Sequence, residues 1–567
     1  MEPSPRRSPA RLVTRLPWLV LGLVACGPSR SNLEGLPPPC IDGYSACAST
    51  GLCVRKKDTE EEEFEREQAC RFLTVRQGGA LVIDVPGATP ERLPEATPAS
   101  TELIAEPRVV GRSVVIQLRA NHGARLGQIP DHELTIAAEI GGRFYERRIQ
   151  VLVQAIAASP DGDDEAEGSE SHPFRTFRKA AKIAESGDTI VLRNDDGLAS
   201  EPDEHEEIVI PAGVTVRGQV PRERKRPDGG SAEDGGGEDA RKVPARGNGA
   251  ILEMPLALAG WATLDNLVLK QHLVISQPRE EVTLNDVEAW DGVSVAPSAT
   301  GATLVISGGS EIRADHEYAP PRVTPLLVEA DDTILSISGT AKVHHDTGLA
   351  EGPAIKVSGR RHQMKISGGA FIQGVTYPVA VQIDDAKAVE IDGRVPGGLT
   401  IRGRVEIAGT DATVTVNNAS FPPGNRDGCG IKFKGDGEAS TVRIEHSTFQ
   451  GEGLILAGPK SRTVIRETTF ENITSWAIRL DSGALNLGTL DEPGKNRFWT
   501  KDVWDPAITP VALRIDAKAG QGSVTSSASS YDGWSPGELV VPGPRTDDKV
   551  QRGFVRIEDR ITINFWP

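Results

Sequence analysis

Aromatic residues are scarce in this 567-residue chain: 13 Phe, 8 Trp and 5 Tyr make up 5% of it, and Met occurs three times. Sixty glycines and forty prolines stand against them, a balance that suits a turn-rich β protein and disfavours a helical one. Positive charge is also short, with 63 Lys and Arg against 80 Asp and Glu, for a formal net charge of −17. Such a surface repels nucleic acid and anionic lipid, and it disfavours a polyanionic substrate unless a local basic groove exists. Calcium, or a neutral or cationic polymer, fits better. Two known catalytic signatures are missing too: there is no H-E-x-x-H and no phosphate loop.

What the chain has instead is a repeat. Apolar-alternating runs end in a polar pair and begin again, at Leu264-Asp265-Asn266, Leu284-Asn285-Asp286, Ile306-Ser307-Gly308, Ile337-Ser338-Gly339, Ile366-Ser367-Gly368, Ile391-Asp392-Gly393, Val416-Asn417-Asn418, Ile444-Glu445-His446 and Ile465-Arg466-Glu467. Alternation means strand, and a polar turn every 20 to 31 residues returns each strand to the same place. One such strand cannot bury its apolar face alone, whereas a stack buries a continuous core. The expected fold is all-β, a parallel solenoid with a long lateral surface. Ile337 and Ile366 fall at the inward phase and Lys365 at the outward one.

The N-terminal region reads as an export signal. Arg6, Arg7, Arg11 and Arg15 precede an apolar stretch at 16–24, and nine residues are too few to span a bilayer. Leu23-Val24-Ala25-Cys26 resembles the bacterial lipobox, which implies diacylation of Cys26 and a lipid bilayer as partner; Gly27 then points to the outer membrane or cell surface. Without residues 1–25 the charge becomes about −20. Cys40, Cys47, Cys53 and Cys70 are an even set in an oxidising compartment and read as two disulfides, in any of three connectivities. A zinc site is the alternative, although the spacings lack C-x₂-C pairs. Cys429 is left over as a free thiol.

Residues 26–39 read as a tether and 40–70 as a cysteine-rich module. Residues 71–156, with alternating runs at 80–85, 113–118, 132–138 and 148–153, read as an immunoglobulin-like β-sandwich. Residues 157–567 read as the solenoid, interrupted by a charged low-complexity segment at 221–248 that cannot bury enough surface to order itself. Between sandwich and solenoid, Asp161-Gly162-Asp163-Asp164 is followed by His172-Pro173-Phe174-Arg175-Thr176-Phe177 and Gly187-Asp188-Thr189-Ile190. This opening resembles that of the DUF1565-type right-handed parallel β-helix proteins, relatives of the pectate lyases. Independently, Thr176 can N-cap a helix with apolar positions Phe177, Ala180, Ala181 and Ala184, stopped by Gly187, which would cover the end of the solenoid.

Candidates for chemistry are of three kinds. Asp161, Asp163 and Asp164 have the look of a calcium loop without its closing Glu, so no cofactor is expected beyond possible calcium. Asp331-Asp332 and Asp384-Asp385, with Lys356, Lys365 and Arg402 nearby, could supply the carboxylates and base of a lyase. However, adjacent strand residues face opposite ways and such pairs are commonly turns. His344-His345-Asp346 lies 28 residues after Asp315-His316-Glu317, about one repeat, and could stack as a metal or acid–base site. The expectation is a non-catalytic, surface-anchored β-helix lipoprotein that binds or presents itself to extracellular polysaccharide. A polysaccharide lyase or glycoside hydrolase on the same scaffold, and a structural envelope component with a protein partner, are the alternatives. Within the repeats only Trp290, Tyr318, Tyr377 and Trp476 offer aromatic sugar contacts.

Overall fold

The computed structural model describes residues 72–193, 207–219 and 249–499, with internal gaps of at most nine residues, and isolated strands at 44–46, 53–55 and between 511 and 566. Residues 1–25, Cys26, Cys40, Cys47, Cys70, Cys429 and the 221–248 segment lie outside the described residues. Cys53 begins a strand, Cys53–Arg55, paired antiparallel with Tyr44–Ala46.

The repeat folds as a right-handed parallel β-helix of three long sheets. Each coil visits sheet A, sheet B and sheet C in turn, as in Leu256–Leu258, Ala262–Asp265 and Leu267–Leu269. Among the described residues, sheet A has 13 strands, sheet B 15 and sheet C 12. Neighbouring strands pair in parallel with registered side chains, so inward residues form columns. Ile306, Ile337, Ile366 and Ile391 stack in one of them, each fully buried. Further along, Phe421, Phe449, Phe470 and Phe498 stack with centroids 4.6, 5.2 and 4.9 Å apart.

The recurring polar pair turns out to be the corner from sheet B to sheet C. Its last residue is left-handed at Asn266, Asp286, Gly308, Gly339, Gly368, Asn418, His446 and Glu467, with φ between 48° and 74°. Only the Asp392-Gly393 corner differs, placing the left-handed residue one later at Arg394. One residue with positive φ reverses the chain, so Gly, Asn and Asp are favoured there. The side chains of His446 and Glu467 meet along the corner, Nε2 to Oε2 at 3.2 Å.

Before the solenoid stands a two-sheet sandwich. Its four-stranded sheet comprises Leu73–Arg76, Glu95–Pro98, His132–Ile140 and Arg143–Gln154. Its three-stranded sheet comprises Ala80–Asp84, Leu103–Val110 and Ser113–Ala120. Ile116, Leu118, Leu134, Ile149 and Val151 fill the space between them. Strand Arg143–Gln154 runs, after one residue, into Ile156–Ala158, the first strand of sheet B.

The helix α1, Phe177–Ile183, is capped by Thr176, whose hydroxyl accepts the Lys179 amide at 3.2 Å. It ends at Ala184, earlier than the expected stop at Gly187. Gly187 serves the next turn, where a Cβ would come within 2.9 Å of Gly123 Cα in the sandwich. The two parts are stitched there by buried polar groups. Gln77 donates to the Ala124 carbonyl and accepts from the Thr189 amide, both at 2.7 Å. Asp188, fully buried, meets His122 Nδ1 at 2.7 Å and accepts the Gly123 and Glu185 amides.

Candidate functional site: the three outer faces of the solenoid

Each sheet turns every second residue outward, and register gives the three outer faces different chemistry. On the strands of sheet C between 267 and 345, the charged outward residues are already spent on one another. Lys270 and Arg313 lie 5.5 and 4.9 Å from the Trp290 ring centroid, and the indole N–H donates to Glu288 at 2.8 Å. Arg313 also pairs with Glu288 at 3.0 Å. His344 Nε2 lies 3.1 Å from Glu311 Oε1, and this hydrogen bond, with help from Lys342 and Arg313, brings the Glu311 carboxyl down to about 2.

Sheet A presents a single row that changes character along its length. It reads Val209, Ala257, Val274, Ser294 and Leu327, and then Lys356, Gln382, Glu406, Lys432, Ile455 and Arg479. The charged part is largely paired: Glu406 with Arg404 at 2.7 Å and Lys432 at 3.4 Å, Arg479 with Asp481 at 2.7 Å.

Sheet B is different. Two outward rows, Thr303-Ile334-Gln363-Ala388-Thr413 and Val305-Ser336-Lys365-Glu390-Thr415, run side by side. Over them lies a depression of about 410 Å³ lined by Ile334, Gln363, Lys365, Glu390, Thr413, Thr415 and Asn417 among others. Its one ion pair, Lys365 to Glu390 at 2.8 Å, is half exposed, and Asp392, which accepts the Arg394 amide at 3.0 Å, leaves the lining with a single net negative charge. The side chains of Gln363, Thr413 and Thr415 have no hydrogen-bond partner among the described residues, which leaves an amide and two hydroxyls available to a ligand.

The residues singled out in the sequence are dispersed. Lys356, Lys365 and Arg402 belong to sheets A, B and C respectively, and Arg402 covers the Phe371 ring at 5.4 Å. Asp331, Asp332 and Asp385 hold the corner from sheet A to sheet B. Asp331 accepts the Arg360 amide at 2.9 Å, Asp332 pairs with Arg361, and Asp385 accepts the Arg361 amide at 3.4 Å. Asp384 accepts from the Gln382 side chain at 2.9 Å. His345 is buried against the Gly352 carbonyl at 3.1 Å, and burial lowers its pKa, so it is neutral near pH 7. His316, Asp346, Tyr318 and Tyr377 lie outside the described residues. In the aspartate loop, Asp163 accepts the Glu165 amide at 3.1 Å and Asp164 accepts the Thr176 amide and hydroxyl at 2.9 and 3.0 Å. Asp161 is exposed. Among the described residues no three His, Cys, Asp or Glu are grouped to hold a metal.

Among the buried polar residues not singled out in the sequence, Glu280 and His362 both lie on the inside of the corner from sheet A to sheet B. Phase alone could have placed His362 inside, since it alternates with Met364 and Ile366. Neither of its ring nitrogens has a hydrogen-bond partner among the described residues, and burial lowers its pKa. Glu280 is 2% exposed; burial pushes its carboxyl up to about 7, only partly opposed by the Gln277 amide. A carboxyl raised above its unfolded value of 4.5 costs nothing below pH 4.5, and its penalty grows as pH rises through about 7. Glu280→Gln is therefore expected to raise stability at pH 8 by up to about 3 kcal/mol relative to its effect at pH 4. Urea melts at the two pH values check it, and an equal effect at both would refute it.

Compared with known proteins, the chain matches no family model, no curated protein and no solved structure.

Proposed function

We propose that this is a non-catalytic β-helix lipoprotein, held at the outer membrane or cell surface through Cys26, whose sheet B groove binds a neutral extracellular polysaccharide. The observation that carries this reading is the groove itself, with a single net negative charge in its lining and furnished with unused amide and hydroxyl groups on a rigid ladder. A polymer of hydroxyl-rich residues offers matching donors and acceptors at each step, and a scaffold whose rungs are fixed by register loses little entropy on gripping it. The net charge of −17 disfavours acidic polymers and leaves neutral ones unopposed. The lipobox resemblance supplies the anchor, and the DUF1565-type resemblance between residues 158 and 192 fits a scaffold that carries no fixed chemistry.

The soluble Cys26→Ser form tests it. It is expected to be retained on immobilised neutral cell-surface polysaccharide. Gln363→Ala should weaken retention roughly three- to tenfold, one side-chain hydrogen bond being about 0.5–1.5 kcal/mol. Thr415→Trp, which fills the groove, should abolish it. Retention that survives both changes would move the binding off sheet B, and no retention at all would end the polysaccharide reading.

A further inference from the structure

Among the described solenoid residues, the large apolar side chains exposed by more than a third are Val209, Trp261, Val274 and Ile334, and Ile334 lies in the sheet B groove. The other three belong to one end of sheet A. Val209 and Val274 stand in its outward row, 54% and 38% exposed, with Ala257 between them. Trp261, 54% exposed, sits at the adjoining corner, between Leu256–Leu258 and Ala262–Asp265.

Trp261 is held on a bed without bulk. Gly213, at φ 84°, donates its amide to the Trp261 carbonyl, and a Cβ there would come within 2.8 Å of the indole Cζ2. Beside it, a Cβ on Gly260 would come within 2.6 Å of Ala212 Cβ. One side of the ring is thus seated on backbone that only glycine permits, while more than half of the side chain stays open. Its Nε1–H has no acceptor among the described residues. Trp290, by contrast, is flanked by Lys270 and Arg313 with its N–H bonded, and Trp476 lies under Arg479 at 5.7 Å.

We infer that Trp261 is a stacking platform for one pyranose ring of the bound polysaccharide, a contact point separate from the sheet B groove; this rests on the polysaccharide reading above. An indole joins a flat apolar face to one hydrogen-bond donor, which matches the C–H face and hydroxyl rim of a sugar. Size favours a sugar over a protein partner. Three exposed apolar side chains fall far short of the roughly 800 Å² per side that a stable protein interface buries, whereas a single ring needs little more than the indole and its neighbours. The valines at 209 and 274 extend the apolar strip along the row without adding charge.

Fluorine NMR of the Cys26→Ser chain labelled with 5-fluorotryptophan tests this, with the Trp261 signal assigned from Trp261→Phe. Chitohexaose, cellohexaose and yeast mannan are the probes. The Trp261 signal is expected to move on titration with at least one of them while that of Trp290 stays fixed. Trp261→Ala should weaken the same binding roughly three- to tenfold, with an unchanged melting temperature. Binding that leaves the Trp261 signal and the Trp261→Ala affinity unaltered would overturn the platform and leave the groove standing. No binding by any probe, in a protein also not retained by cell-surface polysaccharide, would overturn both. Retention on that polysaccharide with an affinity indifferent to Trp261→Ala would again overturn the platform alone.

Discussion

Ile366→Asp is expected to destabilise the protein by several kcal/mol, while the neighbouring Lys365→Asp costs little. Ile366 is fully buried between Ile337 and Ile391, its registered partners on the coils to either side. An aspartate there carries a carboxyl into a column with no donor, and it also removes apolar contact from two coils at once. Since each coil is stabilised mainly by its neighbours, the loss should spread to adjoining rungs. Lys365 points the other way, and its exposed pair with Glu390 is worth at most about 1 kcal/mol. Melts of the two variants side by side decide it. Equal losses, or a larger one at Lys365, would mean that the inside and outside of the sheet B strand are exchanged.

Phe449→Ala should be nearly as damaging, at about 3–5 kcal/mol. The ring lies parallel to that of Phe421 on one side, at 4° and 4.6 Å, and close to parallel with Phe470 on the other, at 13° and 5.2 Å. Removing it opens a cavity that neither neighbour can fill without breaking register, and it deletes two aromatic contacts together. Phe371→Ala, on the outward side of the same sheet, is the control and should cost far less. Hydrogen exchange adds a second reading: amides of the strands around 421, 449 and 470 should lose protection together in the variant. Loss confined to 448–450 would show that the rings are not energetically coupled.

The solenoid was legible because its periodicity is physical at two scales. Alternation told inside from outside within a strand, and the polar pair marked one of the corners where the backbone turns left-handed. Most of that corner's residues, such as Asn266, Asp286 and Gly308, are ones that tolerate positive φ. His446 and Glu467 are not, and they were found by their place in the repeat. Less legible was which of three sheets a residue joins. Residues one coil apart share a sheet, but Lys356 and Lys365, nine positions apart, do not, so a catalytic row could not be assembled from sequence proximity. In the sandwich, Leu103–Val110 escaped notice because Pro107 interrupts its alternation, which an edge strand can accept. Trp261 carried no signal in the sequence, since its exposure depends on Gly213, some fifty residues earlier, lying beneath it. Glu280 and His362 sit at corner positions where the alternation has lapsed or is only beginning.

The seam at Gln77, Gly123 and Asp188 bears on how the molecule can be taken apart. A boundary drawn after residue 156 would cut inside the strand Ile156–Ala158, and would strip the Thr189 amide of its acceptor and Asp188 of two of its donors. Separate expression of the two halves would then leave the Asp188 carboxylate short of two donors on one, and would part the two glycine turns, Gly123 and Gly187, that pack against each other. A load on the ladder would therefore pass into the sandwich through this hydrogen-bonded seam and not through a free linker.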